Sequence, residues 1–319
     1  MHRLIDDICV FLKANGFEYS LQMRHGLDVI CTKTLDGRHD RMILPLVINS
    51  STLEEASQTS EYTYEAIRMI SSQEGYPLII TEDRWKRQRE MMESRLLAHL
   101  ELFSQAYARN CEIRRIEKAE AQEFLNKYHS YGYAACKYRY GLFLKRHTGH
   151  IAEQMRSLDK LGMTEGRLKM TEGKLIAVAT FSNARRWIKD GKEIRSYEWT
   201  RYASLPDLRV SGGMGKLLKA FIKEVEPDDI MSYADLEWSE GEVYERLGFE
   251  AEAEKEPVIF TIDPQTWERK AIRRSPIRSG MTEVEAVMTK GDVITSSTGN
   301  LFFQNFGSRK FRLKLTEYR

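Results

Sequence analysis

Apolar residues near the start of the chain recur at helical spacing, and further along they form short continuous runs. The first pattern predicts a helix over residues 2–15, which Gly16 ends. Its apolar positions are Leu4, Ile5, Ile8, Cys9 and Leu12. The run at residues 175–181 has the length of a buried strand and is too short for a helix. The chain therefore combines helices with strands.

The first third of the chain predicts a small α/β domain over residues 1–107. The expected elements, in order, are a helix at 2–15, strands at 27–31 and 42–48, a helix running towards Ser72, a strand at 76–81 and a long helix at 85–107. Asp36-Gly37 has the composition of a hairpin turn, and residues 49–52 are suited to cap the second helix. This amount of structure fits a domain of ordinary size.

Residues 108–265 predict a second domain. Its early elements are strands at 112–115 and 140–145, a helix at 118–128, a polar insertion at 146–173 with a helix near 150–160, and the strand at 175–181. Arg185-Arg186-Trp187 indicates a loop. Residues 196–262 then predict strand, glycine turn, helix, strand, short helix and strand.

The C-terminal extension, residues 266–319, is both basic and aromatic. Its basic positions are Lys270, Arg273, Arg274 and Arg278. The segments 301–303 and 311–315 predict a terminal hairpin around a turn at residues 305–308. Basic and aromatic residues suit nucleic acid, although a solvated hairpin packed on the main sheet has the same composition.

Composition narrows the classes of protein without selecting one. The chain has 319 residues with a formal net charge of +2, so any surface that attracts nucleic acid must be local. No apolar run reaches the length of a membrane span, and the N-terminus lacks a signal-peptide pattern. Four widely spaced cysteines indicate reduced thiols. We therefore expect a cytoplasmic protein with no membrane contact and no metal.

The glycine turn is the strongest candidate for a binding site. It lies between a predicted strand and a predicted helix, and its residues are Arg209, Val210, Gly212, Gly213, Met214, Gly215 and Lys216. Backbone amides at a helix N-terminus bind anions, and glycines allow an anion to approach them closely. A cofactor that carries a pyrophosphate is the expected ligand.

The turn and the following Tyr244-x-x-x-Gly248-Phe249 resemble the GNAT acyltransferase family. That family has Arg/Gln-x-x-Gly-x-Gly/Ala before a helix and then Tyr-x-x-x-Gly-Phe. This chain departs from the pattern, because either Met214 replaces a small residue or Val210 replaces Arg/Gln, depending on the register. The resemblance implies a mixed sheet with flanking helices, acetyl-CoA or another acyl-CoA as donor, and a gap between two strands that holds it. It also implies that the phenol of Tyr244 protonates the leaving sulfur.

A narrower resemblance links the same region to phage DNA-modification proteins of the Mom type. It rests on residues 232–235, which read Ser-Tyr-Ala-Asp, and on Tyr244. The GNAT-like half of phage homing-endonuclease-like proteins shares Tyr197-Glu198-x-x-Arg201 and the Tyr- and His-containing segment 128–133. These resemblances imply a nucleobase amine in DNA as acceptor, with Asp235, Glu198 and His129 as further catalytic candidates. By strict alternation Glu198 and Arg201 lie on opposite faces, so a direct pair needs a bulge.

The N-terminal domain resembles the restriction-endonuclease-like half of the same phage proteins. Their chemistry needs an Asp and then a Glu-x-Lys, because carboxylates hold Mg²⁺ beside the scissile phosphate. Asp28 is suited to the first position, but residues 44–48 contain neither acid nor lysine. We expect no nuclease activity.

Three functional hypotheses remain open from the sequence. The first is an acyltransferase acting on nucleic acid, and the second is a GNAT enzyme acting on a protein or a small amine. The third is a non-catalytic DNA-binding or adaptor protein built from degenerate enzyme folds. Tyr244 is equally suited to a core position, Asp235 to a helix cap, and His129 to a loop without a catalytic role.

Overall fold

The computed structural model describes residues 3–145, 173–189, 191–272 and 299–316. The helices are α1 Arg3–Ala14, α2 Leu53–Glu74, α3 Glu82–Arg87, α4 Arg89–His99, α5 Lys118–Tyr128, α6 Gly213–Val225 and α7 Glu242–Arg246, with a 3₁₀ turn at Ala108–Asn110. The strands of the first half are β1 Tyr19–Arg24, β2 Leu27–Lys33, β3 Asp40–Leu46, β4 Leu78–Thr81, β5 Ser104–Tyr107, β6 Cys111–Arg115, β7 Tyr138–Leu144 and β8 Leu175–Phe181. The remaining strands are β9 Arg185–Lys189, β10 Lys192–Ser204, β11 Leu208–Ser211, β12 Asp229–Asp235, β13 Glu250–Lys255, β14 Ile259–Ile262, β15 Arg269–Ala271, β16 Leu301–Gln304 and β17 Ser308–Lys314. The fold class is mixed α/β, as the sequence predicts.

The chain forms two compact units, each assembled from separate segments. The first unit contains residues 1–92, 235–240 and 254–309, and the second contains residues 93–234, 241–253 and 310–319. These segments differ from the contiguous domains expected from the sequence, 1–107, 108–265 and 266–319. None of the helices among the described residues is both long and apolar enough to cross a bilayer.

The first unit is built on a four-stranded sheet in the order β1-β2-β3-β4. Neighbouring strands are antiparallel except β3 and β4, which are parallel. Helix α2 packs on this sheet through Ile67 and Ile70, and Thr52 caps the helix by accepting the amide of Glu55 at 3.2 Å. A second sheet, in the order β15-β14-β16, completes the unit.

A buried ionic cluster joins the three segments of the first unit. Arg269 of β15 binds Asp83 of α3 through two hydrogen bonds of 2.7 and 2.9 Å, and it binds Glu237 at 2.8 and 3.0 Å. Arg84 donates a further hydrogen bond of 2.9 Å to Glu237. The side chains of Arg269, Asp83 and Glu237 are only 10%, 4% and 1% exposed. Removing one member of such a cluster leaves another buried charge unpaired.

The second unit is built on an eight-stranded sheet. Its order is β13-β17-β12-β10-β8-β7-β6, with β9 paired to β10 beside this path. The neighbouring pairs β6–β7, β7–β8 and β8–β10 are antiparallel, whereas β10 and β12 are parallel. Aromatic rings fill the core, where Phe181 and Phe221 stack with centroids 3.9 Å apart. The sheet positions the candidate site at its centre, between β10 and β12.

Several elements predicted from the sequence are confirmed. The structure has α1 at Arg3–Ala14, α5 at Lys118–Tyr128 and β8 at Leu175–Phe181, as the apolar spacing indicates. The expected turn at Asp36-Gly37 is closed by a hydrogen bond of 2.8 Å from the amide of Gly37 to the Thr34 carbonyl. The expected insertion at 146–173 falls almost wholly outside the described residues, and so do Arg273, Arg274 and Arg278.

Three predictions were wrong, and several strands were missed. The long helix at 85–107 is interrupted at Gln88, whose backbone is not helical, and it ends before β5, which pairs with β11. Residues 185–187, expected as a loop, belong to β9, an exposed strand paired with β10. The terminal hairpin does not form, because β16 pairs with β14 whereas β17 lies between β13 and β12. Strands β1, β11, β13 and β15 were not predicted.

Candidate functional site

The central strands of the second unit separate along their length. Strands β10 and β12 pair at only three positions, from Ser196 opposite Asp229 to Glu198 opposite Met231. Both strands continue, to Ser204 and Asp235, with no further pair between them in the described chain. The separation begins beside an irregularity in β10, whose register with β8 shifts between Trp199 and Arg201. Backbone amides and carbonyls of β10 beyond this point are therefore not used in pairing with β12.

Ser232 bridges the start of this gap. Its hydroxyl lies 3.0 Å from the carbonyl oxygen of Trp199 on β10 and 2.9 Å from the phenol oxygen of Tyr244. A hydroxyl has one proton, so Ser232 donates to only one of these acceptors at a time. When it donates to Tyr244, the proton of the phenol is available to a third group. The hydroxyl of Tyr244 consequently lies at the start of the gap.

Tyr244 is held by aromatic neighbours. Its ring stacks on Phe311 at 5.2 Å and makes edge contacts with Phe249 and Trp199. Burial raises the pKa of the phenol, and the hydrogen bond from Ser232 and the charge of Arg201 lower it by less. A phenol with a raised pKa stays protonated at neutral pH, which a proton donor requires. The short helix α7 that carries Tyr244 begins after Gly241, whose φ of +90° favours glycine.

The glycine turn leads into α6 as predicted. Gly212 precedes the helix in a left-handed conformation, with φ of +75°. The first amides of an α-helix have no intrahelical acceptor, so those of Gly213, Met214 and Gly215 lack one within α6. Gly213 is packed closely, because a Cβ added there would lie 3.0 Å from Val210. The turn thus combines two of the features expected of an anion site: backbone amides without an acceptor in the helix, and small residues.

Three other residues of the predicted cofactor site, Lys216, Val210 and Arg209, contact the protein itself. The ammonium of Lys216 donates hydrogen bonds of 2.8 and 2.6 Å to the carbonyls of Ala108 and Cys111. Val210 is buried, and the guanidinium of Arg209 lies 5.4 Å from the centre of the Phe103 ring. Lys216 therefore fixes the turn between β5 and β6.

Arg201 connects the irregular part of β10 to the loop that follows α5. Its guanidinium donates to the carbonyl of Gly132 at 3.1 Å and to that of Thr200 at 2.7 Å. Burial lowers its pKa, and the charge of Glu198 raises it. The irregularity of β10 between Trp199 and Arg201 lies where a direct pair of Glu198 and Arg201 would need a bulge. The carboxylate of Glu198 also lies 3.6 Å from Arg185 of β9.

Asp235 and His129 each have a structural partner. The carboxylate of Asp235 accepts the amide of Glu237 at 2.9 Å and lies 3.7 Å from Arg84. This closes a turn two residues on, instead of capping a helix. Nδ1 of His129 accepts the amide of Tyr131 at 3.1 Å, so this nitrogen carries no proton in that arrangement. Catalytic roles for these two residues stay predictions.

Two features of the N-terminal unit bear on the resemblance to nucleases. Asp28 is an exposed residue of β2, opposite Met23 of β1. Throughout the part of the chain that the structure describes, no group of three or more His, Cys, Asp or Glu side chains is placed to hold a metal ion.

Comparison of the sequence with protein-family models and with curated proteins finds no match. Among solved structures, the chain is similar to a conserved protein of unknown function from Enterococcus faecalis V583, described as a probable N-acyltransferase. The TM-score is 0.30 and the sequence identity is 14%. The similarity covers 52% of this chain and only 38% of the Enterococcus protein, so the described activity is a statement about that protein.

The sequence predicts Tyr244 and the glycine turn as site candidates but does not predict the contacts that hold them. Ser232 was noted only as part of a motif, although its hydroxyl links β10 to Tyr244. The contact of Lys216 with two carbonyls was also missed. Both contacts join residues distant in sequence, and a pattern of neighbouring residues contains no signal for them.

Proposed function

We propose that the second unit is an acyl-CoA-dependent N-acyltransferase. The observation that carries this proposal is the gap between β10 and β12 with the hydroxyl of Tyr244 in it. Strands that stayed paired, or a phenol directed elsewhere, would have removed the basis for this activity. The backbone amides at the N-terminus of α6 are suited to bind the pyrophosphate of the donor.

The chain's own groups supply three elements of the reaction. Amides of β10 beyond Trp199 do not pair with β12. Those that face the gap are suited to polarise the acyl carbonyl, because donors fixed in advance stabilise developing negative charge. Tyr244 holds a proton for the sulfur that leaves, and Ser232 orients its oxygen. The donor, when bound, supplies an activated thioester. The attacking amine needs close positioning more than deprotonation if it is an exocyclic base amine.

We further propose that the acceptor is a nucleobase amine of a nucleic acid. Support comes from the ribbon formed by β9 and the start of β10. Its basic and aromatic residues are Arg185, Arg186, Trp187, Lys189, Lys192 and Arg195. All residues of β9 are exposed, including Trp187 at 38%. A two-stranded ribbon with this composition fits a nucleic-acid groove, and a base within a duplex must be extruded before it reacts.

Binding of the donor is tested by thermal unfolding with and without acetyl-CoA. A ligand that binds the folded state raises the melting temperature. We expect Met214→Glu to abolish this increase, because it places a carboxylate beside the helix N-terminus where the phosphates would bind. Met214 is preferable to Gly213, where a side chain would contact Val210. The matched control is Lys219→Glu, which makes α6 more acidic at an exposed position further along the helix. A melting temperature that millimolar acetyl-CoA leaves unchanged would contradict the proposal.

Catalysis is tested with Tyr244→Phe. We expect the rate to fall by about 10²–10⁴-fold, the usual contribution of a general acid, with the acetyl-CoA-induced shift retained. The control is Tyr140→Phe, which removes another phenol bonded at 2.9 Å, to Glu224, in the same unit. Nucleosides released from treated DNA and single strands are analysed by mass for one added acyl group. Acylation of other amines but not of nucleic acid would show that the acceptor is not a nucleobase. Salt-dependent DNA binding, with a melting temperature that acetyl-CoA does not raise, would favour the non-catalytic hypothesis.

A further inference from the structure

Strand β1 is an edge strand of the first unit. It pairs with β2 along one side, from Tyr19 opposite Thr32 to Arg24 opposite Leu27. Along its other side no strand is paired with it among the described residues. Such an edge presents unpaired backbone donors and acceptors, and proteins usually protect it with charges, proline or a bulge. Residues 19–24 contain no proline, and the pairing with β2 has no irregularity.

The side chains of this strand form a pattern that is nearly symmetric about Leu21. Odd-numbered positions are apolar and exposed, namely Tyr19 at 39%, Leu21 at 45% and Met23 at 71%. Even-numbered positions are polar and lie on the opposite face by strand alternation. In order, the polar residues are Glu18, Ser20, Gln22 and Arg24. Residues at equal distances on either side of Leu21 are alike or complementary. Ser20 and Gln22 are polar, Tyr19 and Met23 are apolar, and Glu18 and Arg24 have opposite charges.

We propose that β1 pairs with β1 of a second copy of this chain, antiparallel and centred on Leu21. In a dimer whose two-fold axis is normal to the sheet, the apolar faces of both copies lie on the same side. This requires odd-numbered residues to lie opposite odd-numbered residues, as they do in a register centred on Leu21. Leu21 is then opposite the partner's Leu21, and Tyr19 is opposite the partner's Met23. Glu18 is opposite the partner's Arg24, twice by symmetry. The two four-stranded sheets become one continuous sheet.

The remaining contacts of the strand are compatible with this assembly. Arg24 lies 3.3 Å from Glu74 of its own chain, and a guanidinium has enough donors to bind a second carboxylate. The Tyr19 phenol lies beside the Cys9 thiol of α1, on the apolar face of the strand. Directly opposed side chains in antiparallel pairs interact favourably when they are apolar or of opposite charge.

The register is tested by cysteine cross-linking under a mild oxidant such as diamide. We expect Leu21→Cys to form a disulfide-linked dimer, because opposed Cα atoms are about 4.5–5.5 Å apart, within disulfide range. Met23→Cys is the matched control. It is the more exposed position, yet the register separates the two copies by four residues along the strand, roughly 13 Å. Equal or stronger cross-linking at Met23 would overturn the proposed register.

The charges provide an independent test by light scattering after gel filtration. We expect the wild-type chain to be dimeric at about 100 µM, and Glu18→Arg and Arg24→Glu each to be monomeric. Mixed together, the two variants should form a heterodimer, because each then meets the opposite charge twice. Leu21→Lys should be monomeric, whereas Leu35→Lys, at a similarly exposed leucine, should remain dimeric. A monomeric wild-type chain, or a dimer unaffected by Leu21→Lys, would refute the proposal. Thermal unfolding of each variant confirms that it is folded.

Discussion

Replacing Arg269 with methionine tests whether the buried ionic cluster stabilises the first unit through charge or only through packing. The guanidinium makes four hydrogen bonds to two carboxylates, Asp83 and Glu237. Methionine keeps much of the aliphatic stem but removes the guanidinium, whose Cζ lies 5.0 Å from the centre of the Phe260 ring and 4.6 Å from that of Phe303. Asp83 then remains buried without its main partner, whereas Glu237 still accepts a hydrogen bond from Arg84.

The expected loss follows from the burial of these groups. Removing one partner of a buried ion pair costs about 3–5 kcal/mol, because the other charge stays uncompensated. Since Glu237 keeps Arg84, we expect about 4 kcal/mol instead of twice that value. For a unit of this size, about 4 kcal/mol corresponds to a decrease of roughly 8–16 °C in melting temperature.

The dependence on pH distinguishes charge from packing. Burial alone would raise the pKa of Asp83, but Arg269 and the hydrogen bond from Thr81 outweigh it and hold the pKa below 3.8. In the wild-type chain this carboxylate therefore stabilises the fold above about pH 4, and the contribution is lost as the pH falls through the folded-state pKa. In the variant, burial raises the pKa, so the carboxylate destabilises the fold until it is protonated. The difference between the two proteins should be largest at neutral pH and smaller in acid.

The assay is urea unfolding of both proteins at about pH 7 and about pH 4, with free energies from linear extrapolation. Arg246→Met is the control, because Arg246 and Glu242 form an exposed pair at 2.6 Å whose loss should cost less than about 0.5 kcal/mol. A loss below about 1 kcal/mol for Arg269→Met, or one that does not change with pH, would refute the reasoning.

Three further predictions concern single positions. Gly241→Ala should cost about 2–4 kcal/mol, because its φ is +90° and the new Cβ would overlap the Phe311 ring, which circular dichroism melts can measure. Thr52→Ala should cost about 1 kcal/mol in urea unfolding, because α2 loses its cap. Ser232→Ala should reduce acyl transfer while keeping the acetyl-CoA-induced melting shift, because only the orientation of the phenol changes; a lost shift would contradict this.

Local patterns predicted the elements whose pairing and packing are strongly periodic. Helix α5 has one buried face at helical spacing, and strand β8 is a continuous apolar run that is buried on both faces. Strand β9 has no buried residue, so alternation gave no signal and the segment was predicted as a loop. Strand β5 follows helix-forming residues, and only its pairing with β11, a hundred residues later, makes it a strand. The position of β17 between β13 and β12 likewise depends on strands that are distant in the sequence.

The candidate site shows the same division. The spacing of Gly212 and Gly215 was sufficient to predict a glycine turn and a helix, whereas a phenol of Tyr244 near a strand gap was implied by the GNAT resemblance. The hydrogen bond between Ser232 and Tyr244 depends on how β12 and α7 pack, and no spacing rule contains that information. The irregularity of β10 between Trp199 and Arg201 is the kind of bulge that the sequence could name as a condition for a Glu198–Arg201 pair but could not place.

The interleaved segments of the first unit impose an order on biosynthesis. Residues 1–92 leave the ribosome first, yet the core that they form with Leu236 and Phe306 needs chain made much later. At about 5–20 residues per second, the nascent segment waits roughly 10–40 s for the last of these residues. During that time its apolar surface is open to chaperones and to other nascent chains. Dividing the gene at any point between residues 92 and 310 would separate at least one unit from one of its segments.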